Sequence, residues 1–258
     1  MARLARVLLI GGIDPTGGAG LGADVRAVHA MGGHPMPVAT CLTVQNRHGL
    51  VRVEPVGDAL FAASLEAVLA DGPVDAIKLG LIGSAGRLRA LAQWRASELP
   101  EPPLVVDPVL SATAGGWWAG PEMAAAYAAL LPRATVVTPN GPELVQLAAG
   151  DAEALLRAGC GAVLATDGHG DGRDVEDVLW QSAEQTVFTH PRLERGPVHG
   201  TGCALAAAVA TRLAQGETIE AACRGAVGVV VACLRETPAS TDGLPVPLRW
   251  PASSSRRS

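Results

Sequence analysis

The chain is predicted to fold as an α/β domain built on a mainly parallel sheet with helices on both faces, and three observations predict it. Short apolar runs alternate with helical patterns almost from end to end. The runs are continuously apolar, which suits strands buried on both faces. No linker-like or repeated stretch divides the 258 residues, a length that suits a large α/β domain. One domain over 1–245 is therefore expected, with the Pro/Ser/Arg-rich end, 246–258, frayed.

Each element follows from its local pattern. RVLLIGG (6–12) reads as the first strand, residues 19–32 as a helix closing near Gly32-Gly33, and PVATCLT (37–43) as the second strand. Residues 57–70 are helical, with Leu60, Phe61, Leu65, Val68 and Leu69 on one face. AIKLG (76–80) is a short strand, 86–97 a helix and PLVVD (103–107) a strand. A helix at 121–131 and a strand at 135–138 follow. Pro142 in a first turn and Glu143 suit a helix at 140–149. GAVLAT (161–166) is a strand, DVLW (177–180) and TVFT (186–189) form a hairpin, and helices at 202–214 and 217–234 close the chain.

Composition excludes several classes of function. Hydrophobic residues make up 48% and charged residues 17%, which is incompatible with overall disorder. A net charge of −5 argues against nucleic-acid binding. No apolar run reaches the ~20 residues that span a bilayer, so no membrane partner is expected. The run in MARLARVLLIGG is too short for a secretory signal and serves as a strand. The five cysteines are scattered without a C-x-x-C pair, which points to a reducing cytoplasm and thiols acting as small hydrophobes. Of 20 basic residues only Lys78 is a lysine, and it lies inside an apolar strand where an ammonium needs a partner.

Four segments carry candidate chemistry. The glycine-rich stretch 11–24 follows a strand and opens a helix. Its G-x-G-x-x-A match at 18–23 lies too far past the strand for a dinucleotide site and has no acidic residue at the required offset. It fits a loop laid against a small substrate, with Asp24 offering a carboxylate, or a turn that reverses the chain. His199-Gly200-Thr201-Gly202-Cys203 opens an Ala-rich helix whose N-terminal amides suit an anion, and the helix end is expected to lower the Cys203 thiol pKa. Asp107 ends one strand, and Asn140 with Glu143 follow another, where α/β sheets bind ligands. This set suits Mg²⁺, and Asn140 with Glu143 equally suit helix capping. Gln45, past the second strand, carries the donors and acceptor that match an aminopyrimidine edge, and taken alone the segment reads first as a polar turn.

Together DPTGGAGLGAD (14–24), TVQN (43–46), KLGLIG (78–83), VVDPVL (105–110), TPNGPEL (138–144) and HGTGCALAAA (199–208) resemble, in order and spacing, the hydroxymethylpyrimidine kinase / phosphomethylpyrimidine kinase family of thiamine biosynthesis, within the ribokinase-like superfamily. The resemblance runs from about residue 6 to residue 234. It implies a three-layer sandwich, ATP and Mg²⁺ as cofactors, and phosphorylation of 4-amino-5-hydroxymethyl-2-methylpyrimidine and then of its monophosphate.

Carried over by motif, Gly11, Asp24 and Gln45 contact the pyrimidine, and Lys78 supplies an ordered ammonium to the substrate pocket. Gly200, Thr201, Gly202 and Cys203 form the anion hole, with Cys203 as base. Asn140 and Thr166 face ATP, while Asp107 and Glu143 sit near Mg²⁺. The family resemblance also implies a homodimer, with an Ala-rich surface helix as interface. The chain departs from the family in three places. Thr166 stands where the family carries a lysine, the stretch from Glu143 to Gly161 is shorter, and SATAGGWWAG (111–120) lacks a basic residue. An arginine is the alternative cation. Two rival readings are a pyridoxal kinase and a catalytically weak sensor of the pyrimidine.

Overall fold

A computed structural model describes residues 3–97, 102–110, 120–167, 172–182 and 184–250. The loop at 111–119, Gly168-His169 and residues 251–258 lie outside the described residues.

The first strand, β1 (Arg6–Ile13), shows why the sheet is covered on both sides. Val7 and Leu9 point into one core and Leu8 and Ile10 into the other, and all four are fully buried. The remaining strands of the main sheet are β2 (His34–Asn46), β3 (Gly49–Pro55), β4 (Ala76–Leu79), β5 (Leu104–Val106), β6 (Val136–Val137), β7 (Val163–Ala165), β8 (Asp174–Gln181) and β9 (Glu184–Pro191). Their order is β3-β2-β1-β4-β5-β6-β7-β8-β9. From β2 to β7 the pairs are parallel, and both edges turn antiparallel.

The helices are α1 (Gly20–Ala30), α2 (Asp58–Ala70), α3 (Ala85–Ser97), α4 (Gly120–Tyr127), α5 (Gly141–Ala148), α6 (Ala152–Arg157), α7 (Thr201–Ala214) and α8 (Ile219–Glu236). One core lies under α1, α7 and α8, and the other under α2 to α6, giving the three-layer sandwich that the resemblance implies. None of the described helices is long and apolar enough to cross a membrane.

The structure corrects the sequence reading in four places. β3 was not expected: only one side of GLVRVEP faces protein, and Val51 is 77% exposed, so the segment lacks the apolar run that marks a buried strand. The short helix α6, N-capped by Asp151, occupies part of the stretch after Glu143. The chain from 246 to 250 is not frayed, because β11 (Val246–Pro247) pairs in parallel with β10 (Val198–His199) and Leu248 is buried. The Ala-rich helix is no surface interface. Residues 204–210 of α7 are buried against the sheet, where small side chains let helix and strands approach closely.

Candidate active site

A cavity of about 680 Å³ opens at the carboxyl ends of the parallel strands, and all twelve candidate site residues line it. Its floor is built around Lys78. The ammonium Nζ donates to both Asp24 oxygens at 3.0 Å and lies 3.3 Å from Asp107 Oδ2. Lys78 and Asp24 have no exposed side-chain surface. Gly80 makes room for them, since a Cβ there would sit 2.7 Å from Nζ. Burial pushes the Asp24 carboxyl up to about 6 against the pull of Lys78. Burial also opposes the Lys78 charge, but Asp24, Cys203 and Asp107 outweigh it and hold the ammonium above the usual lysine range. The pair is therefore charged at neutral pH.

This arrangement revises the expected roles of both residues. Each is a wall group behind Gly11, occupied with the other, and neither presents a free polar atom to a ligand in this conformation. Gln45 follows an irregularity in the β2–β3 pairing at Val44/Gln45, and its half-buried side chain lines the cavity.

The segment expected to cradle an anion opens α7 at the cavity. Gly200, the N-cap of α7, has φ +88, and a Cβ on it would collide with the Gly18 carbonyl. No side chain caps the helix, so the first-turn amides remain aimed at the cavity. Cys203 behaves differently from expectation. It is only partly open to the cavity; burial raises its thiol pKa, the Asp107 and Asp24 carboxylates add to this, and Lys78 and the helix end do not compensate. The resting group is a neutral thiol.

The structure also joins Asp14 and His199, for which sequence reasoning supplies no role. His199 Nε2 lies 3.0 Å from Asp14 Oδ2, across 185 residues of chain. Asp14 also accepts from the Thr16 and Ala19 amides, each at 2.8 Å, so its carboxylate shapes the glycine-rich loop. Burial works against its charge, yet these hydrogen bonds, led by His199, hold it far below the usual carboxylate range. An ionised Asp14 only accepts, so Nε2 carries the hydrogen. The one sequence signal is that both residues flank the glycines of their motifs; their pairing is a tertiary fact.

At the other end, Asn140 and Glu143 form a capping box. Asn140 Oδ1 accepts from the Glu143 amide at 2.9 Å, and Glu143 Oε2 accepts from the Asn140 amide at 3.0 Å. Burial and the Asp107 carboxylate push Glu143 up to about 8. The Thr166 amide donates to Pro139 O at 3.0 Å, which sets Thr166 beside Asn140. Arg192 and Arg195 also line the cavity, the first 3.7 Å from the Asp167 carboxylate and the second donating to Thr237 O at 2.6 Å. Asp107 Oδ2 is buried without a hydrogen bond. Among the described residues no three His, Cys, Asp or Glu converge on a metal. Two carboxylates, one with a buried oxygen that makes no hydrogen bond and faces Lys78, fit an ion that keeps most of its waters.

Comparisons with known proteins show the family. A family model described as phosphomethylpyrimidine kinase matches residues 14–246. The hydroxymethylpyrimidine/phosphomethylpyrimidine kinase of Rhizobium meliloti is 37% identical over 224 residues, 82% of this chain and 84% of that protein. The thiamine biosynthesis multifunctional protein of Corynebacterium efficiens is 36% identical over 84% of this chain, which spans 31% of that longer protein. Among solved structures, the pyridoxal kinase of Staphylococcus aureus in complex with AMP-PCP superposes with a TM-score of 0.85 at 28% identity, covering 95% of this chain and 94% of that one. The phosphomethylpyrimidine kinase of Clostridium difficile gives 0.77 at 28% identity, over 89% and 99%. With the family model matching residues 14–246 and a relative 37% identical over 82% of this chain, the chain belongs to the phosphomethylpyrimidine kinase family.

Proposed function

We propose that the protein transfers the γ-phosphoryl group of ATP to the hydroxymethyl oxygen of 4-amino-5-hydroxymethyl-2-methylpyrimidine, and then phosphorylates the monophosphate to the diphosphate. The observation that carries the reading is the convergence, in one cavity, of the uncapped α7 amides with Gln45 on one side and Asp107 and Glu143 on the other. The substrate oxygen forms a bond to the γ-phosphorus, the bond to the β-phosphate oxygen breaks, and ADP leaves. The hydroxyl proton is released to a neighbouring base or water. The transition state is loose, so positioning and charge neutralisation dominate.

The amides of Thr201, Gly202 and Cys203 meet the charge on the transferring group. Gln45 orients the heterocycle, with Gly11 allowing it to lie close to β1. Asp24 and Lys78 act from behind this wall by fixing Asp107. Asn140 and Thr166, with Arg192 and Arg195, face the nucleotide phosphates. Asp107 and Glu143 would hold Mg²⁺, which when bound neutralises phosphate charge. Cys203 is at the reacting end and must lose its own proton before it can accept one, so its contribution as a base rises with pH. A homodimer would use the outer face of β1–β2, where Ile13, Leu42 and Val44 are exposed.

The structural likeness to a pyridoxal kinase keeps one second reading, phosphorylation of pyridoxal. Purified protein with ATP and Mg²⁺ is incubated with hydroxymethylpyrimidine or with pyridoxal, and products are identified by mass. The pyrimidine diphosphate is the expected product. Phosphate transfer to pyridoxal alone would replace the reading, and tight pyrimidine binding without transfer would make the protein a sensor.

A further inference from the structure

The substrate end of the cavity is walled by two segments far apart in sequence. One is the tip of the β2–β3 hairpin, with Gln45, Arg47 and Leu50; the other is the strap after α8, with Pro245 and Pro247. A single guanidinium joins them. Arg47 is bidentate on Asp242, with N–O distances of 2.9 and 2.7 Å, and also donates to Pro245 O at 2.8 Å and to Leu244 O at 3.2 Å. Arg47 side-chain exposure is 42% and that of Asp242 is 46%, and an ordinary ion pair at such a site contributes little. Four donors on three acceptor groups of one segment make a different case, because the planar fork loses little freedom for each bond formed.

Both ends of this connection are held rigidly. At the tip, Asn46 Oδ1 accepts from the His48 amide at 2.8 Å and fixes the turn that presents Arg47. In the strap, Asp242 Oδ1 accepts from the Leu244 amide and Ser240 Oγ donates to Leu244 O. The strap then pairs with Val198–His199, and the Leu248 amide donates to His199 O. One side of the connection therefore lies two residues from Gln45. The other lies against the strand that delivers His199 and Gly200 to the anion cradle.

We propose that Arg47 and Asp242 form a latch that positions the Gln45 hairpin against the His199 strand and closes the substrate end around a flat heterocyclic alcohol. Both are positioning residues. The inference rests on the kinase reading for its substrate, though the latch itself does not. If binding requires the closed form, weakening the latch lowers its population and scales the apparent affinity by the same factor.

The test uses the full chain with Arg47→Met, with Asp242→Asn, and with the exchanged pair Arg47→Asp plus Asp242→Arg. Amide hydrogen exchange without ligand is expected to speed up at 240–247 in Arg47→Met and at 45–50 in Asp242→Asn. Each reports on the segment that carries no substitution. The KM for hydroxymethylpyrimidine should rise about three- to tenfold in both single variants, with kcat and the KM for ATP changing less. The exchanged pair should recover part of that KM. Unaltered exchange in the unsubstituted segment overturns the latch. Faster exchange with an unmoved KM overturns its part in holding substrate. A wild-type protein that phosphorylates no pyrimidine overturns the kinase reading instead, and the exchange comparison still decides the latch.

Discussion

Lys78 lies wholly buried between two carboxylates, on a strand whose other side chains are apolar. Its isolation among arginines singles it out in the sequence, and the structure gives the reason: the space bounded by Gly80, Asp24 and Asp107 fits a compact ammonium. A guanidinium needs more volume and a planar fork, so Lys78→Arg is expected to overpack the wall. The exchange should cost about 1–3 kcal/mol of stability, seen as a lowered Tm, and reduce kcat/KM by more than about tenfold. A silent exchange would remove Lys78 from the site. Residue types were legible from sequence here, while partners were not. Asp24, Lys78 and Asp107 were each singled out, yet nothing in their spacing says that the first two bind one another. Cys203 shows the same limit, because the helix end favours a thiolate and only the surrounding burial reverses that preference.

The element that most directly makes the site is α7, entered through a residue in left-handed backbone conformation. Gly200→Ala puts a methyl against the Gly18 carbonyl and strains a positive φ. It should cost about 1–3 kcal/mol and displace the anion cradle, so kcat should fall together with thermal stability. Wild-type kcat in that variant would mean that the helix amides are not used. Among elements, those buried on both faces could be read directly, since a run such as LVVD has no other use. β3 could not, being an edge strand with little buried surface. β10 and β11 are two residues each and exist only because they pair with one another.

Across the whole molecule, three carboxyls carry raised pKa values in one cavity: Asp24 at about 6, Glu143 at about 8, and Asp177, which burial pushes up. Glu143 ordinarily titrates near 4.5. Between that value and about 8, the folded chain retains a proton that the unfolded chain has lost, so stability falls as pH rises through this window. Asp24 acts in the same direction over a narrower range. A divalent cation between Asp107 and Glu143 favours the ionised form and opposes the decline. The Tm is therefore expected to drop between about pH 5 and pH 8.5 without metal, and to drop less with Mg²⁺ and ATP or in Glu143→Gln. Equal slopes with and without Mg²⁺ and ATP would count against the metal assignment. The parallel order of the sheet was foreseeable at this scale, because each crossover carries its own helix. The antiparallel additions at both edges were only half foreseen, through the β8–β9 hairpin. The Lys78 contact has one more consequence. Asp24 comes from α1, Lys78 from β4 and Asp107 from just past β5, so one buried charge cluster ties together three units whose strands β1, β4 and β5 are neighbours in the sheet. Withdrawing β4 would leave two carboxylates without their cation in a dry core, so local opening there should be strongly disfavoured relative to an ordinary apolar strand.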